Sequence, residues 1–232
     1  MWIEKFIDSL NGEYDTIVFI GDYFDKFGST KDSATRTCEW LKFSVNEPHR
    51  IHLWGNHDLW YAYPLAEGLL CSGNSIDKQK MISQILFQRD WDKLTLFTKC
   101  QNWYLSHAGL HQRHFEHPVL GMNDNHIQHL CDQAIEEAKF GRTHDILKAG
   151  WSRGGSQSTG GLTWLDWSEM KPIHGFNQIV GHSQGSTIKY NYVPNKKCAT
   201  GTSICIDCNC RYIGKLVDGK FDVIDNPILG SW

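Results

Sequence analysis

No stretch of this 232-residue chain approaches the roughly 20 continuous apolar residues of a membrane span, and the N-terminus has neither the basic start nor the apolar run of a secretory signal. That absence excludes a helical membrane span and makes a cytoplasmic protein the simplest expectation. Positive charge is scarce as well. The 23 Lys and Arg set against 26 Asp and Glu leave a formal charge of -3, with no basic run to meet nucleic acid or an anionic membrane surface. Internal repeats, low-complexity segments and shifts of composition are missing too, so one α/β domain with a buried core is expected over 1–232. Cysteine is present eight times (Cys38, Cys71, Cys100, Cys131, Cys198, Cys205, Cys208, Cys210), yet a domain of this size does not need covalent staples. The expectation is eight reduced thiols.

What is present is a repeated alternation of short apolar runs and polar loops. Ile3, Phe6, Ile7 and Leu10 form the stripe of a helix lying on a core, which Asn11-Gly12 ends. Thr16 to Ile20 is a continuous apolar run, expected to be a strand covered on both faces, and it delivers Gly21-Asp22-Tyr23-Phe24-Asp25 at its C-terminal end. Loops at such strand ends are where α/β sheets place their chemistry. A helix is expected over about 30–45, then a strand at 50–54 delivering Gly55-Asn56-His57-Asp58. After a helix over 76–88, a hairpin of 94–98 with 102–106 ends on Ser106-His107-Ala108-Gly109. A further helix over 124–140, a Gly/Ser-rich active-site loop over 150–161 and a strand at 178–180 lead to Gly181-His182. Strands follow at 203–207, 212–217 and 221–224, the last two joined by an Asp218-Gly219 hairpin turn.

Holding two divalent cations about 3.5 to 4 Å apart needs an anionic bridge, because it offsets their repulsion. Asp22 is the candidate. An Asn carbonyl oxygen and two imidazoles then suit Mn, Fe or Zn, and Asn56, His107 and His182 fit that role, each at the end of a strand.

In these ordered strings the chain resembles the calcineurin-like metallophosphatases, in motif style the phosphoprotein-phosphatase branch with its phage and bacterial relatives, from residue 15 to about 224. The resemblance implies a four-layer α/β/β/α sandwich with the metals at the strand ends. It implies a second metal site of Asp22, Asn56, His107 and His182, Mn2+ foremost, and a hydroxide bridging two metals as the attacking group. His57 would protonate the leaving alkoxide and Asp25 would orient it. Lys26, standing where that branch carries Arg, and Arg153, with Asn56, would hold the phosphoryl group, Lys26 without the bidentate fork of an Arg. The substrate implied is a protein phosphorylated on serine or threonine, or a small phosphoester. Nucleotide hydrolases resembling the diadenosine tetraphosphatases share the motifs. The Asp-x-His string that such proteins carry before the first of these has no counterpart here, which leaves the first metal with Asp22 alone. The expectation drawn from that is an N-terminally incomplete domain lacking its first strand, with a gap in the sheet beside 16–20 flanked by 203–207, or a non-catalytic member binding one metal or a phosphorylated partner. Oligomeric state is not legible.

The remaining polar residues are read more plainly. His111, His114 and His117 are expected to be solvated loop residues, His126 and His129 to lie on a helix surface, and His52 to face the outer layer from its strand. Cys205, Cys208 and Cys210, with Cys198, could be drawn as a zinc knot, but their spacing also falls naturally across a strand and its turn. Trp60 and Tyr61, beside His57, are the two aromatics expected near a substrate rim.

Overall fold

The computed structural model describes residues 2–115, 123–192 and 201–226; His117 and Cys198 lie outside them. In chain order the elements are α1 (Trp2–Ser9), β1 (Ile17–Phe19), α2 (Lys31–Ser44), β2 (Arg50–Leu53), α3 (Asn56–Ala62), α4 (Ile76–Ile85), α5 (Gln88–Trp91) and β3 (Leu94–Thr95). Then follow β4 (Phe97–Cys100), β5 (Trp103–Ser106), α6 (Asp124–Lys139), β6 (Asn177–Val180), β7 (Lys189–Tyr192), β8 (Thr202–Cys205), β9 (Tyr212–Val217) and β10 (Lys220–Asp225).

Two sheets face each other. The first is parallel, in the order β1-β2-β3. The second runs β4-β5-β6-β8-β7, parallel through β5, β6 and β8 and antiparallel at both edges. Alternation along the strands sends Leu53 of β2, Trp103 and Leu105 of β5, Ile179 of β6 and Ile204 of β8 into one apolar layer between the sheets, with Val18 and Ile51 against it. The β9–β10 ribbon closes that layer from outside: Leu216 and Phe221 pack on it, and Trp103 Nε1 donates to the Gly219 carbonyl at 3.0 Å. Outward-facing Tyr104 joins the larger core together with Ile127, Cys131, Ala134 and Ala138 of α6, while α2 covers the first sheet through Ala34, Cys38 and Leu41. The result is the α/β/β/α sandwich.

β1 is half-buried along its whole length rather than fully covered. It pairs with β2 on one side, and no other described strand joins it. The expectation that 203–207 would flank it is not met: β8 belongs to the other sheet and has both edges paired, to β6 and β7. The expected helix over 76–88 is two helices, because Leu86 and Phe87 are extended (ψ 124° and 167°). Two elements carry almost no local signal. β7 (Lys-Tyr-Asn-Tyr) is a half-exposed edge strand, and α3 starts inside a motif string.

Candidate metal centre

The site is built where β1 and β2 end side by side. Gly21 has φ +89°, and a Cβ there would fall 2.4 Å from Gly55 N; a Cβ on Gly55 would fall 2.2 Å from Asp22 N. Only glycine at both positions lets the two loops touch backbone to backbone. Asp58, fully buried, then staples them. Its Oδ2 accepts from Asp22 N and Gly55 N at 2.9 Å each, and its Oδ1 accepts from Tyr23 N at 2.9 Å. Burial and the neighbouring Asp22 raise the Asp58 carboxyl above its usual range.

Asp22, Asn56, His107 and His182 converge, as the sequence reading expects. Side-chain donor atoms of Asp22, His107 and His182 lie within 4.8 Å of one another, the one such group among the described residues that could hold a metal ion. Asp22 Oδ1 accepts from His57 N at 3.1 Å, leaving Oδ2 turned inward. His107 is held from behind by a 2.6 Å hydrogen bond from Nδ1 to the Ile20 carbonyl. Its Nε2 therefore faces the cluster, 3.1 Å from Asn56 Oδ1, 3.3 Å from Asp22 Oδ2 and 3.3 Å from His182 Nδ1. A single proton on Nε2 can satisfy one of these neighbours, whereas a cation satisfies all of them. Backbone strain accompanies the arrangement: Asp22 and His182 are non-glycine residues at φ +59° and +62°.

The electrostatics agree with that geometry. Burial opposes charge on Asp22, but the imidazoles of His107 and His57 outweigh it and hold the carboxyl well below its usual range. Burial opposes the charge of His107 too, and Asp22 overcomes it, raising the imidazole. His182 is pushed down to about 3 by burial and by His107, so its imidazole stays neutral, and its buried Nε2 has no hydrogen-bond partner. Trp164 meets its ring edge-on at 5.7 Å.

The other expected residues divide. His57 and Asp25 are neighbours, but Nδ1 to Oδ2 is 3.7 Å, a charge contact rather than a hydrogen bond. Burial works against charge on His57, and Asp25, the Cys71 sulfur and Asp22 outweigh it, holding the imidazole at about 11. Arg153 sits at the edge of the cluster: Nε is 2.7 Å from Asp166 Oδ2, and one terminal nitrogen donates to Ser183 Oγ at 3.1 Å, next to His182. The Gly-rich loop carrying it folds on itself through Trp151 N to Gln157 O (2.8 Å) and Gly155 N to Gly150 O (2.9 Å). Lys26 is exposed, and no hydrogen bond or ion pair joins it to the cluster.

Two expectations are corrected. His111 is buried and accepts from Arg113 N, and His114 Nε2 is 2.8 Å from the Gly160 carbonyl, so both are structural rather than solvated. Burial pushes His114 down to about 4. Tyr61 is not a rim residue but a buried one, whose hydroxyl donates to Asp25 at 2.9 Å. Among the described residues Cys205, Cys208 and Cys210 are free thiols and join no candidate metal group; Cys205 Sγ donates to the Gly181 carbonyl at 3.2 Å. His52 does face the outer layer, and His126 and His129 lie exposed on α6. Residues that sequence reasoning missed are Asp58, Cys71, Asn74 and Lys78. Asp58 alone had a local signal, an acidic residue at the third position of a helix that starts after Gly55.

A sequence model of the calcineurin-like phosphoesterases matches residues 2–183. No curated protein matches the chain. A solved structure of a cold-active protein tyrosine phosphatase is 14% identical, with a TM-score of 0.45, and the match covers 89% of this chain and 67% of that one. A point mutant of the same phosphatase gives 14% identity and a TM-score of 0.44, covering 89% and 68%. No helix among the described residues is long and apolar enough to cross a membrane.

Proposed function

Since the chain belongs to the calcineurin-like phosphoesterase family, we propose that it hydrolyses phosphomonoesters with divalent metal held by Asp22, Asn56, His107 and His182. Proteins phosphorylated on serine or threonine are the leading substrates. The observation that carries this reading is the meeting of acceptor atoms around His107 Nε2, where Asn56 Oδ1 and Asp22 Oδ2 lie 3.1 and 3.3 Å away with one proton at most between them. That donor set, one carboxylate, one amide oxygen and two imidazoles, fits Mn2+, with Fe or Zn as its rivals. Bound metal would supply an activated water and offset charge on the phosphoryl oxygens.

The chain's own residues do the rest. His57, 22% exposed at the side chain and adjacent to Asn56, gives its proton to the departing alkoxide. Asp25, with no exposed surface, fixes the imidazole from behind. Arg153 and Lys26 are the cations assigned to the phosphoryl oxygens. Release of Arg153 from Asp166 is then part of substrate binding. A cytoplasmic setting and action as one domain complete the reading.

A second reading keeps its place because a single metal-holding group is found among the described residues: a one-metal binder of phosphorylated partners without turnover. The test combines metal analysis with rates on p-nitrophenyl phosphate, a phosphoserine peptide and diadenosine tetraphosphate, with Mn2+ and after chelation. Metal-dependent hydrolysis of the first two is expected. Preference for the dinucleotide would move the chain to the nucleotide hydrolases, and bound metal without turnover would establish the second reading.

A further inference from the structure

Asp25 is tied down far more heavily than the orientation of one imidazole requires. Its carboxylate has no exposed surface and receives Lys78 Nζ at 2.5 Å on Oδ1, Asn74 Nδ2 at 2.6 Å on Oδ2, and the Tyr61 hydroxyl at 2.9 Å from either oxygen. His57, the residue it is meant to serve, stands off at 3.7 Å. All three ammonium protons of Lys78 are accounted for, by Asp25 Oδ1, Ser29 Oγ (3.2 Å) and the Gly73 carbonyl (3.0 Å).

Lys78 is also badly placed for its own helix. It is the third residue of α4, where a cation opposes the positive end of the helix dipole. The buried charge of Asp25 compensates it. Asn74 contacts both members of the pair, since Nδ2 reaches Asp25 and lies 3.3 Å from the His57 carbonyl, while its Oδ1 accepts from Cys71 N at 2.9 Å. Cys71 Sγ in turn lies 3.6 Å from His57 Nδ1. One segment, 71–78, thus closes over Asp25 and His57 together.

We propose that Lys78 and Asn74 are positioning residues for leaving-group protonation: by holding the two oxygens of Asp25 they set where His57 stands against the departing oxygen. This rests on the phosphoesterase reading above. Neither residue touches substrate. Their effect should therefore show only where protonation of the leaving group limits the rate.

The test compares Mn2+-supported rates on p-nitrophenyl phosphate, whose leaving group departs without a proton, and on a phosphoserine peptide, whose alkoxide needs one. Lys78→Met and Asn74→Ala are expected to slow the peptide at least about ten-fold, within the range general acids contribute, and the nitrophenyl ester less than about three-fold. Added to His57→Asn, neither should slow the peptide further. Lys31→Met, which breaks an exposed pair with Asp77, is the control and should change neither rate. Should Lys78→Met fail to fold by circular dichroism, the uncharged Asn74→Ala decides by the same ratio. Equal slowing on both esters, or none on the peptide, overturns the proposal while the phosphoesterase reading stands. A wild-type chain that hydrolyses neither ester brings down that reading, and the proposal with it.

Discussion

Asp22 and Asp25 lie three residues apart on one loop, both with left-handed backbones (φ +59° and +66°), and their carboxylates meet opposite surroundings. Around Asp25 the neighbours are donors: an ammonium, an amide and a phenol fill its lone pairs. Asp22 Oδ2 instead stands 3.3 Å from His107 Nε2, which also faces Asn56 Oδ1 and His182 Nδ1 at 3.1 and 3.3 Å and has at most one proton to share among the three. The protein completes one carboxylate and leaves the other short of donors. Unmet acceptors mark where a ligand belongs, and saturated ones mark the frame that holds the chemistry in place.

The largest effect expected from this contrast is that of Asp22→Asn. Residues that only orient a metal ligand already cost 10- to 100-fold when removed, so loss of the ligand itself should lower metal-dependent turnover by at least about 100-fold. Metal content, measured by elemental analysis, should fall with it. Asp25→Asn should keep its metal. If Asp22→Asn retains metal and rate, or if Asp25→Asn loses metal as readily, the distinction between the two carboxylates collapses.

Much of this pair was legible beforehand, and the reason is local. A strand followed by Gly-Asp or Gly-Asn-His places its functional side chain at a sheet end whatever the rest of the fold does, so Asp22, Asn56, His107 and His182 could be named from short strings. Strands β1, β2, β5, β6 and β8 were legible for the same reason, each being an apolar run ending in a loop. Lys78 and Asn74 were not. Their partner lies about 50 residues away, and nothing in Cys71-Ser72-Gly73-Asn74 announces a carboxylate to be met. Tyr61 stands out in the sequence only for its position beside His57, and nothing local says which way its side chain turns, because a seven-residue helix offers too little periodicity to choose a face. β7 failed for a related reason, as a half-exposed edge strand with no apolar alternation.

His52 sharpens the contrast with an imidazole that is complete. Its Nδ1 is 3.0 Å from the Tyr23 hydroxyl, its Nε2 is 3.0 Å from Ser44 Oγ, and its ring stacks on Phe19 at 4.5 Å. Burial pushes it from 6.5 down to about 4. The unfolded chain takes up this proton near pH 6.5 while the native state refuses it until about pH 4. Its contribution is therefore full above pH 6.5 and is lost as pH falls toward 4, by about 3 kcal/mol. Urea denaturation at pH 7 and pH 4.5 should show that loss in the wild type and a smaller one in His52→Leu. Equal losses would mean that His52 is not held neutral by its surroundings.

The smallest effect reaches the knot through the backbone. Gly73 has φ +91°, and a Cβ there would lie 2.9 Å from Asp25 Cβ, so the loop can approach the carboxylate this closely only without a side chain. Gly73→Ala must relieve both the contact and the unfavourable φ, at a cost of about 2 kcal/mol in thermal or urea denaturation. The relief available is a small retreat of the 71–78 segment, which carries Asn74 and Lys78 away from Asp25. Metal content should be untouched, because none of the four proposed ligands lies on that segment. The phosphoserine peptide should be hydrolysed more slowly relative to the nitrophenyl ester. Loss of metal in this variant would show that the two carboxylates are mechanically one site, since a push on Asp25 would then have travelled three residues to Asp22.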